Sequence, residues 1–350
     1  MRLPYLLLNA ASAAFFVVGQ AGAADTIAAT DGRVAWMGRT VVDDGAASFA
    51  YPGVSAFLRF DGRKLVLDVA STGKKSWLDV VVDGRVRAVH LAPGRSRVVL
   101  VDRKAAARRT VQVLHRSETW QGTVTARSFT TEGRFAAPPA LPARRLMFLG
   151  DSVTCGEALD RTPPGKKDPV WWNPRLSYGM LAGQALQAQV HLVCHGGRGL
   201  VRSWNGKTDE FNLGRLYQLA IADPARPVPW DQRRYAPDLI VSAIGTNDFT
   251  PGIPVREAYV NEYVALVRTL LRDHPQARVV LTEGAILDGE KKAALRDYID
   301  ETIRRVGDAR VGSVVSKHYP GDAADAHPTR AQHARMAADL VPQLRSVMGW

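Results

Sequence analysis

The sequence predicts two domains of different class: an all-β sandwich over residues 25–135, then an α/β domain built on a parallel sheet over residues 144–350. Three observations carry this. Short strand-like runs separated by turn dipeptides fill the first region, with no helical pattern between them. A proline-rich stretch, Ala136-Ala-Pro-Pro-Ala-Leu-Pro142, then reads as a stiff linker over 136–143. Beyond it, apolar runs alternate with helical stretches, the pattern of a sheet covered by helices on both faces.

In the first region the runs at 47–51, 55–60, 64–69, 78–82, 96–101 and 110–114 are strand-like. Asp61-Gly62 and Asp83-Gly84 read as hairpin turns, because both dipeptides tolerate positive φ. In the second region strands are expected at 145–149, 190–194, 238–244 and 278–282. A helix over about 255–273 sets Tyr259, Tyr263, Val264, Val267, Leu270 and Leu271 on one face. Ligands of such sheets bind beyond the carboxyl ends of the strands.

Residues 1–23 differ from the rest. Arg2, an apolar stretch over 5–18 and Ala21-Gly22-Ala23 make a secretory signal peptide, too short for a lasting membrane span. The expected location is therefore secreted or periplasmic. Lys and Arg number 46 against 34 Asp and Glu, a net charge of +12. The basic residues are scattered and no nucleic-acid-binding motif accompanies them, so a solvated basic surface is expected and no nucleic-acid partner.

Gly150-Asp-Ser-Val-Thr-Cys-Gly156 directly follows the apolar run Leu146-Met-Phe-Leu149. A buried strand ending in Gly-Asp-Ser delivers a hydroxyl to the sheet edge, beside N–H groups that have no intrahelical partner. Acyl transfer needs that pairing: a nucleophile, and donors for the oxyanion it creates. Gly245-Thr-Asn-Asp248 follows a second strand, and Asp325-Ala-His-Pro328 lies near the C-terminus.

That ordered set resembles the SGNH (GDSL) hydrolases, and more closely carbohydrate esterase family 2. The resemblance rests on the 150–156 block, Gly196-Gly-Arg-Gly-Leu-Val-Arg202, Gly245-Thr-Asn-Asp-Phe249 and His327-Pro-Thr329. Thr110-Val-Gln-Val-Leu-His-Arg-Ser-Glu118 and Gly122-Thr-Val-Thr125 extend it into the first domain. It implies a jelly-roll β-sandwich followed by a flavodoxin-like sheet, and a serine esterase that removes O-acetyl groups from hemicellulose-type polysaccharide such as xylan or glucomannan. Another acetylated glycan, a lipid ester, or carbohydrate binding without catalysis stay open as alternatives.

Within that resemblance Ser152 is the nucleophile and His327 its base, an imidazole that titrates near ~6.5 when unperturbed. The oxyanion hole combines the Ser152 N–H, the Gly197 N–H (Gly199 being the alternative) and the Asn247 side chain. Asp151 and Asp248 organise turns. The third triad member departs from pattern. Ala324 stands where most SGNH hydrolases have Asp, with Asp322 and Asp325 nearby, and a Ser-His dyad oriented by the backbone carbonyl of Ala326 is favoured over Asp325. Trp172 and Trp204 are candidates for stacking on sugar rings. Cys155 and Cys194 are expected as two buried thiols in preference to a bridge. No cofactor or metal is called for.

Overall fold

The computed structural model describes residues 24–162 and 165–350; the expected signal peptide lies outside the described residues. Ten strands of the N-terminal part are joined by antiparallel hydrogen bonding around two long strands, Ser55–Ser71 and Gly94–His115. Asp61-Gly62 is not a hairpin turn. It lies inside the first long strand, paired with Arg108 and Ala107. The register slips between Gly62 and Lys64 and again between Leu65 and Val66, and such bulges bend a strand instead of reversing it. The runs at 55–60 and 64–69 are thus one strand, as are those at 96–101 and 110–114. Asp83-Gly84 does reverse the chain, with both residues at positive φ between Ser76–Val82 and Arg85–Leu91.

The second sheet is parallel and five-stranded, in the spatial order Ala188–Cys194, Arg144–Gly150, Leu239–Ala243, Arg278–Thr282, Val311–Ser313. This second-first-third order is the flavodoxin-like one, and its switch point lies beside the first strand. Strand alternation splits the central strand between two cores. Leu146 and Phe148 pack with Ala182, Met336 and Leu340 from the helices Tyr178–Ala185 and Arg330–Met348. Met147 and Leu149 face the opposite way, into a core shared with Tyr259, Tyr263 and Leu295 from the helices Arg256–Asp273 and Gly289–Val306. Each buried Leu, Phe or Met side chain among them contributes about 1.5–3 kcal/mol. Val311–Ser313 went unforeseen because three residues show no period.

The two parts meet along a seam that is apolar and hydrogen-bonded. Arg39 is 1% exposed and donates to the carbonyls of Tyr217 at 2.6 Å and Leu219 at 2.7 Å. Burial pulls its guanidinium down to about 10. Tyr51 Oη donates to Leu216 O at 2.7 Å, and the Gly38 N–H to His191 Nε2 at 3.1 Å. Arg116 bridges Asp79 of the sandwich and Asp160 of the α/β part, each at 2.8 Å.

Candidate active site

Four segments that follow strands of the parallel sheet build the site. After Arg144–Gly150 the chain enters a single helical turn, Ser152–Cys155, capped by Asp151, whose Oδ1 accepts from the Val153 N–H at 3.0 Å. Asp151 therefore organises the turn, and Ser152 sits at the first helical position, where its own N–H has no intrahelical acceptor. Ser152 is 7% exposed, and its Oγ lies 2.8 Å from His327 Nε2.

The histidine is oriented by a carboxylate, contrary to the dyad favoured from sequence. Asp325 Oδ1 lies 2.5 Å from His327 Nδ1 and accepts the His327 backbone N–H at 2.8 Å. A carboxylate reaching back over the residue two positions on is an Asx turn, and it brings the ring and the carboxylate together across that short spacing. Asp322, the other candidate, shapes the loop instead. It accepts from the Ala324 N–H at 2.9 Å and pairs with Arg161 at 3.0 Å. Burial would raise the Asp325 pKa, but the bonds from His327, and the charge of Lys167 at 3.1 Å, hold it well below the usual carboxylate range. An ionised Asp325 requires the proton on Nδ1, which leaves Nε2 as the acceptor facing the serine hydroxyl.

The turn after Ala188–Cys194 and the one after Leu239–Ala243 are tied together. Asn247 Nδ2 donates to Arg198 O at 2.8 Å, using one of its two N–H groups. Asp248 is buried and accepts from the N–H groups of Leu200, Val201 and Arg202 at 2.8–3.1 Å. Burial pushes its carboxyl up to about 6 against the pull of these donors. A Cβ at Gly199 would lie 2.4 Å from Asp248 Oδ2, so that glycine is consumed in the carboxylate cradle. Gly197 has φ +74 and is half-buried beside Trp204.

Two family models match consecutive parts of the chain: Carbohydrate esterase 2 N-terminal over residues 36–139, and the GDSL-like Lipase/Acylhydrolase family over residues 148–339. A protein of Cellvibrio japonicus named acetylxylan esterase / glucomannan deacetylase is 51% identical over 328 residues, 93% of this chain and 92% of its own length. The chain belongs to carbohydrate esterase family 2. It is a carboxylic ester hydrolase of that family. A solved family two carbohydrate esterase from Cellvibrio japonicus is similar with a TM-score of 0.92 at 50% identity, over 94% of this chain and 99% of that one. A second, from Clostridium thermocellum in complex with cellohexaose, has a TM-score of 0.84 at 26% identity, over 91% of this chain and 99% of that one.

Set within the family frame, the site holds groups that motif reading missed. Glu157 Oε2 lies 3.7 Å from His327 Nε2, and Lys167 joins Glu157 to Asp325. The sandwich contributes Glu118, whose Oε1 accepts the Gly196 N–H at 2.5 Å, and Thr119, whose Oγ1 donates to Cys194 O at 2.7 Å. Their signal was Glu118 closing the 110–118 motif just after the strand Gly94–His115, a position with no local reason to be chemical. The aromatic candidates divide. Trp172 is 4% exposed and packs edge-on against Trp120 with centroids 6.2 Å apart, so it is a buried support and not a stacking surface. Trp204 is 57% exposed, and its N–H donates to Gly197 O at 3.0 Å. Trp120, half-exposed, is the second open indole at the rim.

Cys155 and Cys194 are disulfide-bonded, which corrects the expectation of two thiols. The parallel pairing of Gly150 with Cys194 places the second cysteine level with the start of the Ser152 turn, and the Cα atoms come to 5.7 Å. That lies inside the span a disulfide bridges. Among the described residues, no helix is long and apolar enough to cross a membrane and no cluster of ligating side chains could hold a metal ion.

Proposed function

We propose that this esterase is exported and removes O-acetyl groups from hemicellulose-type polysaccharide, xylan or glucomannan, through an acetyl-Ser152 intermediate. The observation that carries the reading is the Ser152–His327–Asp325 relay, with hydroxyl to imidazole at 2.8 Å and imidazole to carboxylate at 2.5 Å. The relative at 51% identity, an acetylxylan esterase / glucomannan deacetylase, supports the substrate class. The open indoles of Trp204 and Trp120 suit sugar faces.

In the proposed reaction Ser152 Oγ attacks the acetyl carbonyl while His327 Nε2 takes its proton. The oxyanion is met by the Ser152 N–H, the Gly197 N–H and the second N–H of Asn247. Collapse expels the sugar oxygen, which receives the proton from His327. Water, deprotonated at Nε2, then attacks acetyl-Ser152; collapse breaks the acyl–Oγ bond, Ser152 Oγ takes the proton back from His327, and acetic acid leaves and ionises to acetate. Asp325 keeps Nδ1 as the donor and offsets the imidazolium charge at both stages.

The test is acetate release from 4-nitrophenyl acetate, acetylated xylan, acetylated glucomannan and acetylated cell-wall fragments. The two hemicelluloses should be the preferred polymers, and Ser152→Ala should lower kcat by about 10⁴-fold or more. Near-normal turnover by the variant would end the mechanism, and preference for wall fragments would end the substrate assignment.

A further inference from the structure

We infer that Glu118 of the sandwich and His195 of the α/β part are positioning residues, which together clamp the peptide that presents the Gly197 N–H. The inference rests on the deacetylase reading above and extends the machinery across the domain seam.

A glycine pair has little intrinsic preference for one backbone orientation, and an oxyanion donor works only when its N–H is aimed in advance. The peptides of this turn are held by hydrogen bonds from within it and from outside it. The peptide preceding Gly196 gives its N–H to Glu118 Oε1 at 2.5 Å. The next peptide, which carries the Gly197 N–H, has its carbonyl, Gly196 O, 2.8 Å from His195 Nδ1. A carbonyl only accepts, so the ring donates there. Because the peptide is planar and trans, holding that oxygen on one side aims the Gly197 N–H to the other. The following two carbonyls, Gly197 O and Arg198 O, accept from the Trp204 N–H at 3.0 Å and from Asn247 Nδ2 at 2.8 Å.

Both clamping groups are built in. Glu118 is buried, and Trp120 Nε1 donates to its other oxygen, so its carboxyl is held at both ends. Burial, then the charge of Glu157, push it up from the ordinary carboxylate value; in either protonation state Oε1 still accepts the Gly196 N–H. His195 is 8% exposed, and burial brings its pKa down to about 4, so the ring is neutral and its single N–H is the one on Nδ1. The adjacent disulfide and the bond from Thr119 to Cys194 O anchor the strand end from which the turn leaves.

The experiment compares the intact wild-type chain with Glu118→Ala, Glu118→Gln, His195→Ala and His195→Asn. Two readouts are used: steady-state kinetics on 4-nitrophenyl acetate, and amide hydrogen exchange of the 195–202 segment. Glu118→Ala and His195→Ala should each lower kcat about 10–10²-fold with KM within about threefold, a loss on the scale of a misaimed donor. Exchange across 195–202 should quicken in both. Glu118→Gln keeps an acceptor at Oε1, and His195→Asn a short amide donor; each should recover at least about fivefold over its alanine counterpart. The clamp is overturned if the folded alanine variants keep kcat within about threefold, change KM alone, or leave exchange at wild-type rates. If an alanine variant does not fold, exchange in the wild-type chain decides: a protected Gly196 amide, the donor to Glu118, upholds the clamp, and a Gly196 amide exchanging as fast as an unstructured peptide overturns it. A wild-type chain that hydrolyses no acetyl ester would sink the deacetylase reading, while exchange alone would still decide the clamp.

Discussion

One carboxylate oxygen of Asp325 receives both the backbone N–H and the ring Nδ1 of His327, at 2.8 and 2.5 Å. The same atom therefore fixes the loop and the imidazole tautomer. Replacing Asp325 by Ala should cost about 10²–10⁴ in kcat with little change in KM, because the ring is then free to carry its proton on the wrong nitrogen. Asp322→Ala should lose far less, since Asp322 only folds the loop. Measured kcat for Asp325→Ala within tenfold of wild type would return the orienting role to a backbone carbonyl.

Asn247 is the side-chain donor of the proposed oxyanion hole and also holds Arg198 O at 2.8 Å. Asn247→Ala should lower kcat about 10²–10³-fold, roughly 3–4 kcal/mol, with KM little changed. If KM rises alone, Asn247 binds the ground state and is no oxyanion donor.

The Cys155–Cys194 bridge closes a loop with a sequence separation of 39. Chain-entropy arguments put the loss on removing such a link at about 4 kcal/mol. Cys155→Ala/Cys194→Ala should show that loss in urea unfolding. A double variant as stable as wild type would mean that the unfolded chain is already constrained over this loop.

Acid should weaken the fold before it protonates most carboxylates. His333 Nδ1 accepts the Tyr178 N–H at 3.1 Å, and burial holds its pKa down to about 3, against 6.5 when free. His191, pulled lower by burial and Arg39, accepts the Gly38 N–H at the seam. Between these folded values and 6.5 the unfolded chain binds more protons. The associated stability is thus complete above about pH 6.5 and is lost as pH falls toward the folded values. Tm measured from pH 7.5 down to 4.5 should fall steadily, and His333→Gln, which keeps an acceptor without a titrating ring, should make the slope shallower. Equal slopes would remove His333 from the account.

Much of the site could be read from sequence because each loop leaves a strand, and a strand followed by Gly-Asp-Ser or Gly-Thr-Asn is a local pattern. The order of the sheet then brings Ser152, Gly197 and Asn247 to one edge. What sequence could not show depends on geometry between distant segments. Glu118 and Gly196 are 78 positions apart and meet only across the seam. Asp325 faces His327 from only two positions away because an Asx turn folds the loop, which the spacing alone does not show. Asp61-Gly62 carries a turn dipeptide, yet strand pairing on both sides of it wins and leaves a bulge. Trp172 is chemically suited to sugar but is enclosed by Trp120 and its own loop.

Arg39 carries a consequence for ancestry. With its guanidinium sealed against the carbonyls of Tyr217 and Leu219, neither half can be exchanged without stranding a buried charge or two unsatisfied acceptors. The proline-rich stretch between the halves is thus no point of free recombination. The sandwich is not a tradable accessory, and chimaeras assembled at residues 136–143 should survive only when both parents share the residues of the seam.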